Sequence, residues 1–209
     1  MRNETTAIVL AGGAGRRMGR DKTQLLLGDR RILDLVIDAV RKVCDEVVLA
    51  AGTRSAQLGD EFNVRSVEDP PEAAGPLAGF AAGLRAAEYD RCILVACDMP
   101  FLNPSLLSSL VELLETCDAA VPNVGGIRQP LLAGYSRRCL PSADELLRLG
   151  RRSMRDLLDS VRVECISEGR CRDLDPDGLS WFSINTPDDL LFARHLWERR
   201  STPVAEVMH

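Results

Sequence analysis

The stretch TAIVLAGGAGRRMGRDK, residues 6–22, joins a run of apolar residues directly to a glycine-rich loop. Its first part, TAIVLA, shows no polar alternation and is rich in β-branched residues, which predicts a strand buried on both faces. The four glycines that follow allow the backbone to approach a ligand closely and to present N–H groups to it. This pairing predicts an α/β fold with a ligand site at the carboxyl end of its first strand.

The loop fits neither of the two best-known phosphate-binding patterns. A P-loop ends in Gly-Lys-Ser/Thr, whereas Gly19 is followed here by Arg20. The dinucleotide pattern G-x-G-x-x-G fails because Met18 takes the place of its third glycine. Its basic residues are Arg16, Arg17, Arg20 and Lys22. Such a local cluster suits a small anionic ligand better than a long polyanion.

Composition excludes several function classes. The 209 residues, 45% hydrophobic and 27% charged, are typical of one globular domain, which we place at residues 1–200 with a flexible tail at 201–209. The net charge of −5 argues against a broad nucleic-acid surface. No run approaches the ~18 apolar residues of a membrane span, so no membrane partner is expected.

The cysteines and the N-terminus indicate a compartment. The seven cysteines are odd in number and contain no C-x-x-C pair, which favours reduced thiols. The first residues lack the apolar core of a secretory signal. We therefore expect a cytoplasmic protein. Two histidines make a His-rich zinc site improbable.

Apolar runs alternate with amphipathic ones over the first 122 residues. Strands are predicted at 6–11, 46–51, 64–67, 92–97 and 119–122, and helices at 31–43, 76–87 and 104–114. This order predicts a three-layer α/β/α sandwich around a mostly parallel, Rossmann-like sheet. The rhythm then loosens, with strands predicted at 129–135, 163–166 and 180–185 and helices at 139–149, 153–158 and 186–200. Thr186 is the predicted N-cap of the last helix.

Carboxylates follow two of the predicted strands. Asp98 comes directly after the fourth strand and Asp69 shortly after the third. A carboxylate beside a phosphate-binding loop suggests Mg²⁺ bridging phosphate oxygens, although Asp98 could instead be a turn residue and Asp69 an ordinary loop residue. Cys97 is interpreted as a small buried apolar residue rather than a nucleophile.

Six motifs together carry a family resemblance. They are Leu10-Ala11-Gly12-Gly13, Arg17-Met18-Gly19, Asp21-Lys22, Gly75-Pro76-Leu77-Ala78-Gly79, Cys97-Asp98-Met99-Pro100 and Asn185-Thr186-Pro187-Asp188-Asp189-Leu190. In order and spacing, from residue 10 to residue 190, they closely resemble the molybdenum cofactor guanylyltransferases of the nucleotidyltransferase superfamily. The opening motif alone marks the superfamily, and the full set is far more specific.

The resemblance implies a Mg²⁺-dependent transfer of GMP from GTP to the terminal phosphate of molybdopterin, with release of pyrophosphate. It implies a nucleotide-binding half at about 5–122 and an acceptor-binding half at about 123–200. Other cofactor-biosynthesis proteins and recipient molybdoenzymes are the implied protein partners. No general base is needed because a phosphate nucleophile is already ionised, and a metal, a lysine, an arginine and oriented N–H groups would bring the two polyanions together.

Site residues follow from the resemblance position by position. The implied catalytic residues are Lys22, Asp98 and Arg16, with Asp98 as the Mg²⁺ ligand. The implied nucleotide-binding residues are Leu10, Ala11, Gly12, Gly13, Lys22, Gly52, Asp69 and Asp98. The implied acceptor-binding residues are Gly75, Gln129, Arg151 and Asn185, with Arg152 as an alternative to Arg151.

Three positions bear on specificity. Gly12 favours guanine, since a related cytidylyltransferase tends to carry alanine there. Gly52 stands where the family usually has an asparagine near the base, so backbone or another side chain reads the base, or selectivity is reduced. Ser183 likewise replaces a frequent asparagine on the acceptor side. The alternatives left open are CMP transfer from CTP, transfer of a nucleotide to a different phosphorylated acceptor, and a non-catalytic cofactor carrier. Trp181 and Phe182 are interpreted as core residues rather than a stacking surface for the pterin.

Overall fold

The computed structural model describes residues 4–11, 22–68 and 75–201. Its strands are β1 (Thr5–Leu10), β2 (Leu26–Leu27), β3 (Arg30–Arg31), β4 (Glu46–Ala50), β5 (Arg65–Val67), β6 (Arg91–Ala96), β7 (Ala119–Val124), β8 (Ile127–Arg128), β9 (Leu132–Ser136) and β10 (Val163–Ile166). Its helices are α1 (Ile32–Val40), α2 (Ser55–Phe62), α3 (Pro76–Ala86), α4 (Pro104–Leu113), α5 (Leu140–Arg148), α6 (Met154–Leu158), α7 (Glu168–Leu174) and α8 (Pro187–Ser201). Short 3₁₀ turns cover Lys22–Gln24, Gly52–Arg54 and Arg137–Cys139.

The main sheet has the strand order β10-β7-β9-β6-β1-β4-β5, with β8 paired to β7. β1 is an interior strand and pairs in parallel with both β4 and β6. The pairs β4–β5 and β7–β10 are also parallel. The mostly parallel sheet predicted from the sequence is therefore confirmed, and strands from both predicted halves of the chain join it.

β9 runs against its neighbours inside the sheet, and the short β8 is antiparallel to β7. β9 lies between β6 and β7 and is antiparallel to both. Gly134 in the middle of β9 passes under α4, where a Cβ atom would lie 2.8 Å from the carbonyl oxygen of Leu110. Only a residue without a side chain fits this contact, because the opposing atom is backbone. The looser sequence rhythm after residue 123 therefore corresponds to this reversal of strand direction.

Two apolar layers cover the two faces of the sheet, as the predicted sandwich requires. Along β1, Ala7 and Val9 face the layer that includes α1 and α4, whereas Ile8 faces the layer that includes α3, α5 and α6. The same alternation holds along β6, and both layers are fully buried at their centres. Because strands buried on both faces need apolar residues at every position, their runs show no polar alternation.

The strand predicted at 180–185 is wrong. The segment forms a turn followed by irregular chain, and its polar groups bond locally or to loops. Ser180 N–H donates to Asp175 Oδ2 at 2.8 Å, and Phe182 N–H donates to the carbonyl of Leu179 at 3.0 Å. These N–H groups therefore bond locally and do not pair with a neighbouring strand. Phe182 lies against Phe101, with ring centroids 6.1 Å apart, which supports its interpretation as a core residue.

The structure contains most of the predicted helices and two that were not predicted. The predicted helices at 31–43, 76–87 and 104–114 correspond to α1, α3 and α4, and that at 186–200 to α8. α2 and α7 were not predicted, and both are short, of 8 and 7 residues. Across the described ranges, no helix combines the length and apolar character that crossing a membrane requires.

Candidate active site

The carboxyl ends of β1, β4 and β6 form one edge of the sheet. In register, Leu10 at the end of β1 lies beside Ala50 of β4 and Ala96 of β6. The pairing continues one residue further, since Ala11 N–H donates to the Ala50 carbonyl at 2.8 Å and Cys97 N–H donates to the Leu10 carbonyl at 3.0 Å. Leu10 and Ala11 therefore end next to Cys97 and Asp98, at the edge where parallel α/β sheets bind ligands.

Lys22 and Asp98 meet at this edge although they are 76 residues apart in sequence. Lys22 Nζ lies 2.6 Å from Asp98 Oδ2, a short charge-assisted hydrogen bond. Asp98 is 8% exposed, whereas the side chain of Lys22 is 23% exposed. The structure thus brings together the two residues that were predicted to carry the nucleotide chemistry.

Asn185 is a second side-chain contact of the lysine. Lys22 Nζ also donates to Asn185 Oδ1 at 2.9 Å. The backbone N–H of Ile184, next to Asn185, donates to the backbone carbonyl of Asp98 at 3.0 Å. The segment before α8 is therefore docked on Asp98 itself, and a residue predicted for the acceptor side touches the nucleotide-side lysine.

The N-terminus of α8 holds this segment in place. Asp189 Oδ2 accepts the N–H groups of Asn185 at 2.9 Å and of Thr186 at 2.8 Å. In return, Thr186 Oγ1 accepts the N–H of Asp189 at 3.1 Å, so Thr186 is the N-cap as predicted. This reciprocal pair is a capping box with aspartate as its acidic member. The N–H of Asn185 is the main reason that the pKa of Asp189 lies below its ordinary value.

Asp98 retains an oxygen that suits a cation. Its Oδ1 atom is buried and has no hydrogen-bond partner among the described residues. A buried carboxylate oxygen without a partner is costly, and a hard cation is a fitting ligand for it. Within residues 4–11, 22–68 and 75–201, His, Cys, Asp and Glu side chains form no group of three or more around one point. In these ranges Asp98 is therefore not part of a larger cluster of such side chains.

Cys97 precedes Asp98 and is buried, with 6% of its surface exposed. Its position at the end of β6, inside the first apolar layer, is that of a packing residue. The thiols of Cys92 and Cys139 are buried in the other layer, and burial raises the pKa of each to about 12. These thiols are protonated at neutral pH, as structural cysteines are.

Gly52 opens the 3₁₀ turn after β4 with a left-handed φ of +58°. Ser55, which is 1% exposed, braces the turn. Its Oγ accepts the N–H of Ala51 at 3.1 Å and lies 2.8 Å from the carbonyl oxygen of Gly52. Position 52 is therefore a turn that favours glycine, and it presents backbone at this edge of the sheet.

Arg54 is a residue of this edge that the sequence reasoning missed. Its guanidinium extends from the Gly52–Arg54 turn to both ends of the glycine-rich segment. Nη2 lies 3.4 Å from the carbonyl oxygen of Ala11, and Nη1 lies 3.5 Å from Thr23 Oγ1. The sequence gives only a weak signal for a role of Arg54 at this edge: it follows Gly52 by two positions, just after a strand end.

The predicted acceptor residues make their contacts at three separate places. Gly75, with φ of +138°, lies against Arg152, where a Cβ atom would come within 3.0 Å of the Arg152 Cβ. The neighbouring Arg151 forms a two-point ion pair with Asp156, at 2.6 and 3.1 Å. Gln129 donates from Nε2 to the carbonyl of Ile127 at 3.2 Å, within its own hairpin. Gly75 and the arginine pair are thus neighbours, while Asn185 lies with Lys22.

Four predicted site residues lie outside the described residues: Gly12, Gly13, Arg16 and Asp69. Their assignments stay predictions from the sequence. The described ends of the segments that contain them are Ala11 and Lys22 for the glycine-rich loop, and Glu68 and Gly75 for the loop that contains Asp69.

Comparison with known proteins identifies relatives over most of the chain. Residues 7–165 match the model of the MobA-like NTP transferase domain. The probable molybdenum cofactor guanylyltransferase of Pelotomaculum thermopropionicum is 37% identical over 199 residues, which cover 95% of this chain and 96% of that protein. The molybdenum cofactor guanylyltransferase of Desulfosudis oleivorans is 37% identical over 187 residues, which cover 88% and 92% respectively.

A solved structure agrees with these relatives. The crystal structure of molybdopterin-guanine dinucleotide biosynthesis protein A from Archaeoglobus fulgidus is similar to this fold with a TM-score of 0.84. The match covers 93% of this chain and 99% of that chain, at 28% sequence identity. The same order of strands and helices therefore extends over nearly the full length of both proteins.

Proposed function

The chain belongs to the family of MobA-like NTP transferases, and from this premise we propose that it transfers GMP from GTP to the terminal phosphate of molybdopterin. An oxygen of the acceptor phosphate forms a bond to the α-phosphorus of GTP, and the bond from that phosphorus to the β-phosphate bridge breaks. The products are molybdopterin guanine dinucleotide and pyrophosphate.

The observation that carries this proposal is the contact of Lys22 with Asp98 at the carboxyl edge of the sheet, where Lys22 Nζ lies 2.6 Å from Asp98 Oδ2. The reaction needs charge compensation, because it brings a phosphate monoester against a triphosphate, and it needs no general base. Lys22 supplies a cation that can turn toward phosphate oxygens. Cys97 is given no part in the reaction, because it packs in the first apolar layer and the reaction needs no thiol nucleophile.

Asp98 is the residue proposed to hold Mg²⁺, through the buried oxygen that lacks a protein partner. When bound, the ion would neutralise charge on the phosphates and on the leaving pyrophosphate. A single protein carboxylate is an ordinary ligand set for Mg²⁺ in phosphoryl-transfer sites, since water and substrate phosphates supply the rest. Asp98 would also keep its second oxygen available to Lys22.

The remaining site residues keep the roles proposed from the resemblance. Leu10 through Gly13, Gly52 and Asp69 would contact the nucleotide, and Arg16 would add positive charge. Gly75, Gln129, Arg151 and Asn185 would border the acceptor. The proposed protein partners are those that supply molybdopterin and the molybdoenzymes that receive the product.

Pyrophosphate release with GTP or CTP as donor tests the proposal. Purified protein with Mg²⁺ and molybdopterin should release pyrophosphate with a kcat/KM about 100-fold higher for GTP, the scale on which a shaped base pocket discriminates. Equal use of the two donors would contradict the assignment to guanine. Binding of GTP and molybdopterin with no pyrophosphate released would instead indicate a cofactor carrier.

A further inference from the structure

We infer that Asn185 is a positioning residue for Lys22, and that it holds the lysine ready to turn from Asp98 to the triphosphate. The inference rests on the proposed function, since it assigns a second role to a residue of that same site. The family resemblance proposes that Asn185 contacts the acceptor. The inference adds a contact of Asn185 with Lys22, on the nucleotide side.

The chemistry of the contact fixes which atom of the amide faces the lysine. An ammonium group only donates hydrogen bonds, so the amide atom 2.9 Å from Lys22 Nζ is the acceptor Oδ1. Asn185 Nδ2 then faces Ser183, and it donates to Ser183 Oγ at 2.8 Å. Ser183 thus sets the orientation of the amide, although the family often has asparagine at this position.

The neutral charge of the amide matters for what Lys22 can do next. Asp98 is a carboxylate and pairs with the ammonium at 2.6 Å. An ammonium has three donors, so Lys22 can exchange Asp98 for a phosphate oxygen while it keeps its bond to Asn185. Because the amide carries no net charge, it orients the lysine without cancelling the positive charge that the phosphates need. A carboxylate at position 185 would compete with the phosphates for the lysine.

The backbone of Asn185 is fixed well enough to serve this purpose. Asp189 accepts its N–H at 2.9 Å, and Ile184 N–H is bonded to the carbonyl of Asp98 at 3.0 Å. The amide therefore belongs to the same framework as Asp98. A side chain mounted on such a framework presents its acceptor at a constant distance from the carboxylate, as the positioning of a reacting group requires.

GTP binding without acceptor tests this role, by calorimetry with GTP and Mg²⁺ in the absence of molybdopterin. Asn185→Ala should weaken GTP binding about tenfold and Lys22→Met about 100-fold. If Asn185 acts through Lys22, the double variant should bind GTP no worse than Lys22→Met alone, because the two losses are not additive. Asn185→Asp should weaken binding at least as much as Asn185→Ala, since the new carboxylate holds the ammonium.

Two further variants serve as controls for the role of Asn185. Asn103→Ala removes the N-cap asparagine of α4, whose side chain accepts the N–H of Ser105, and should leave GTP affinity unchanged. Ser183→Ala should weaken GTP binding about threefold by releasing the amide, and it leaves Asn185 in place should that residue prove necessary for folding. Thermal unfolding of each variant establishes that the fold is kept.

The outcomes separate this inference from the proposed function. Additive losses in the double variant, or a loss in Asn185→Ala confined to the KM for molybdopterin, would show that Asn185 is an acceptor contact and overturn the inference alone. Unchanged GTP binding in Lys22→Met would overturn both the inference and the role of Lys22 in the proposed reaction.

Discussion

Lys22 and Asp98 compensate each other's charge at a site that is partly closed to water. The buried carboxylate has one oxygen on the ammonium and one without a partner among the described residues. Such a pair is expensive to break from one side only, because the remaining charge is left without compensation. The Asp98 carboxylate therefore has a lysine on Oδ2, and a metal ion is proposed for Oδ1.

Replacement of this carboxylate tests its role. Asp98→Asn should reduce kcat for pyrophosphate release by at least about 100-fold, the scale on which loss of a charge-stabilising group acts in active sites. The neighbouring Cys97→Ala is the matched control, and its kcat should stay within about threefold of wild type because Cys97 is a packing residue. Full activity of Asp98→Asn with Mg²⁺ would contradict the metal role.

At the scale of elements, α8 is the support of the site. Its capping box holds the segment that carries Asn185. Further along the same helix, the Trp197 ring lies over Gly28, where a Cβ atom would come within 2.9 Å of Trp197 Nε1. Gly28 forms the turn of the β2–β3 hairpin, a few residues after Lys22. One helix thus supports the lysine segment at two places.

The pH dependence of stability should report on the capping box. The pKa of Asp189 is lowered in the folded protein, first by the N–H of Asn185. A carboxylate with a lowered pKa stabilises the fold above its ordinary pKa, and this contribution is lost as the pH falls through the lowered value. Asp189→Ala should therefore lower the free energy of unfolding by about 1 kcal/mol at pH 7, and the difference from wild type should shrink below about pH 4.

Urea unfolding at several pH values measures this effect. Asp188→Ala provides the control, because Asp188 is an exposed neighbour in the first turn of α8. It should cost much less at every pH. A loss in Asp189→Ala that stays constant down to pH 2 would mean that the carboxylate charge is not what stabilises the helix start.

In the whole molecule, β9 comes from the predicted acceptor-binding half and lies between β6 and β7. Gly134 sets the distance between β9 and α4, since its backbone approaches the Leu110 carbonyl directly. Gly134→Ala should lower the free energy of unfolding by about 1–3 kcal/mol, because the added methyl group meets backbone that cannot move aside.

A second glycine gives the opposite expectation. Gly169 lies in α7, where a Cβ atom would meet nothing within 4 Å. Gly169→Ala should raise the free energy of unfolding by up to about 1 kcal/mol, because alanine loses less backbone freedom in a helix. Denaturant unfolding of both variants measures the pair, and equal effects at the two positions would contradict the packing argument.

The fold, and the place of Asp98 at the carboxyl edge of the sheet, were predictable because their signals are local. The apolar runs of β1, β4 and β6 require burial on both faces, and the residues directly after two of these strands include Ala11 and Asp98. The contact of Asn185 with Lys22 spans 163 positions and had no local signal. The strand predicted at 180–185 was wrong because its apolar residues pack against loops and helices, while its backbone bonds to turns.

The position of β9 also has a consequence for how the chain reaches this state. β6 and β7 precede β9 in sequence, yet each needs β9 as its neighbour. Until residues 132–136 insert, a refolding chain carries two open strand edges, which can pair with other molecules. Insertion of β9 is therefore a step at which refolding and aggregation compete, and the refolded yield should fall as the protein concentration rises.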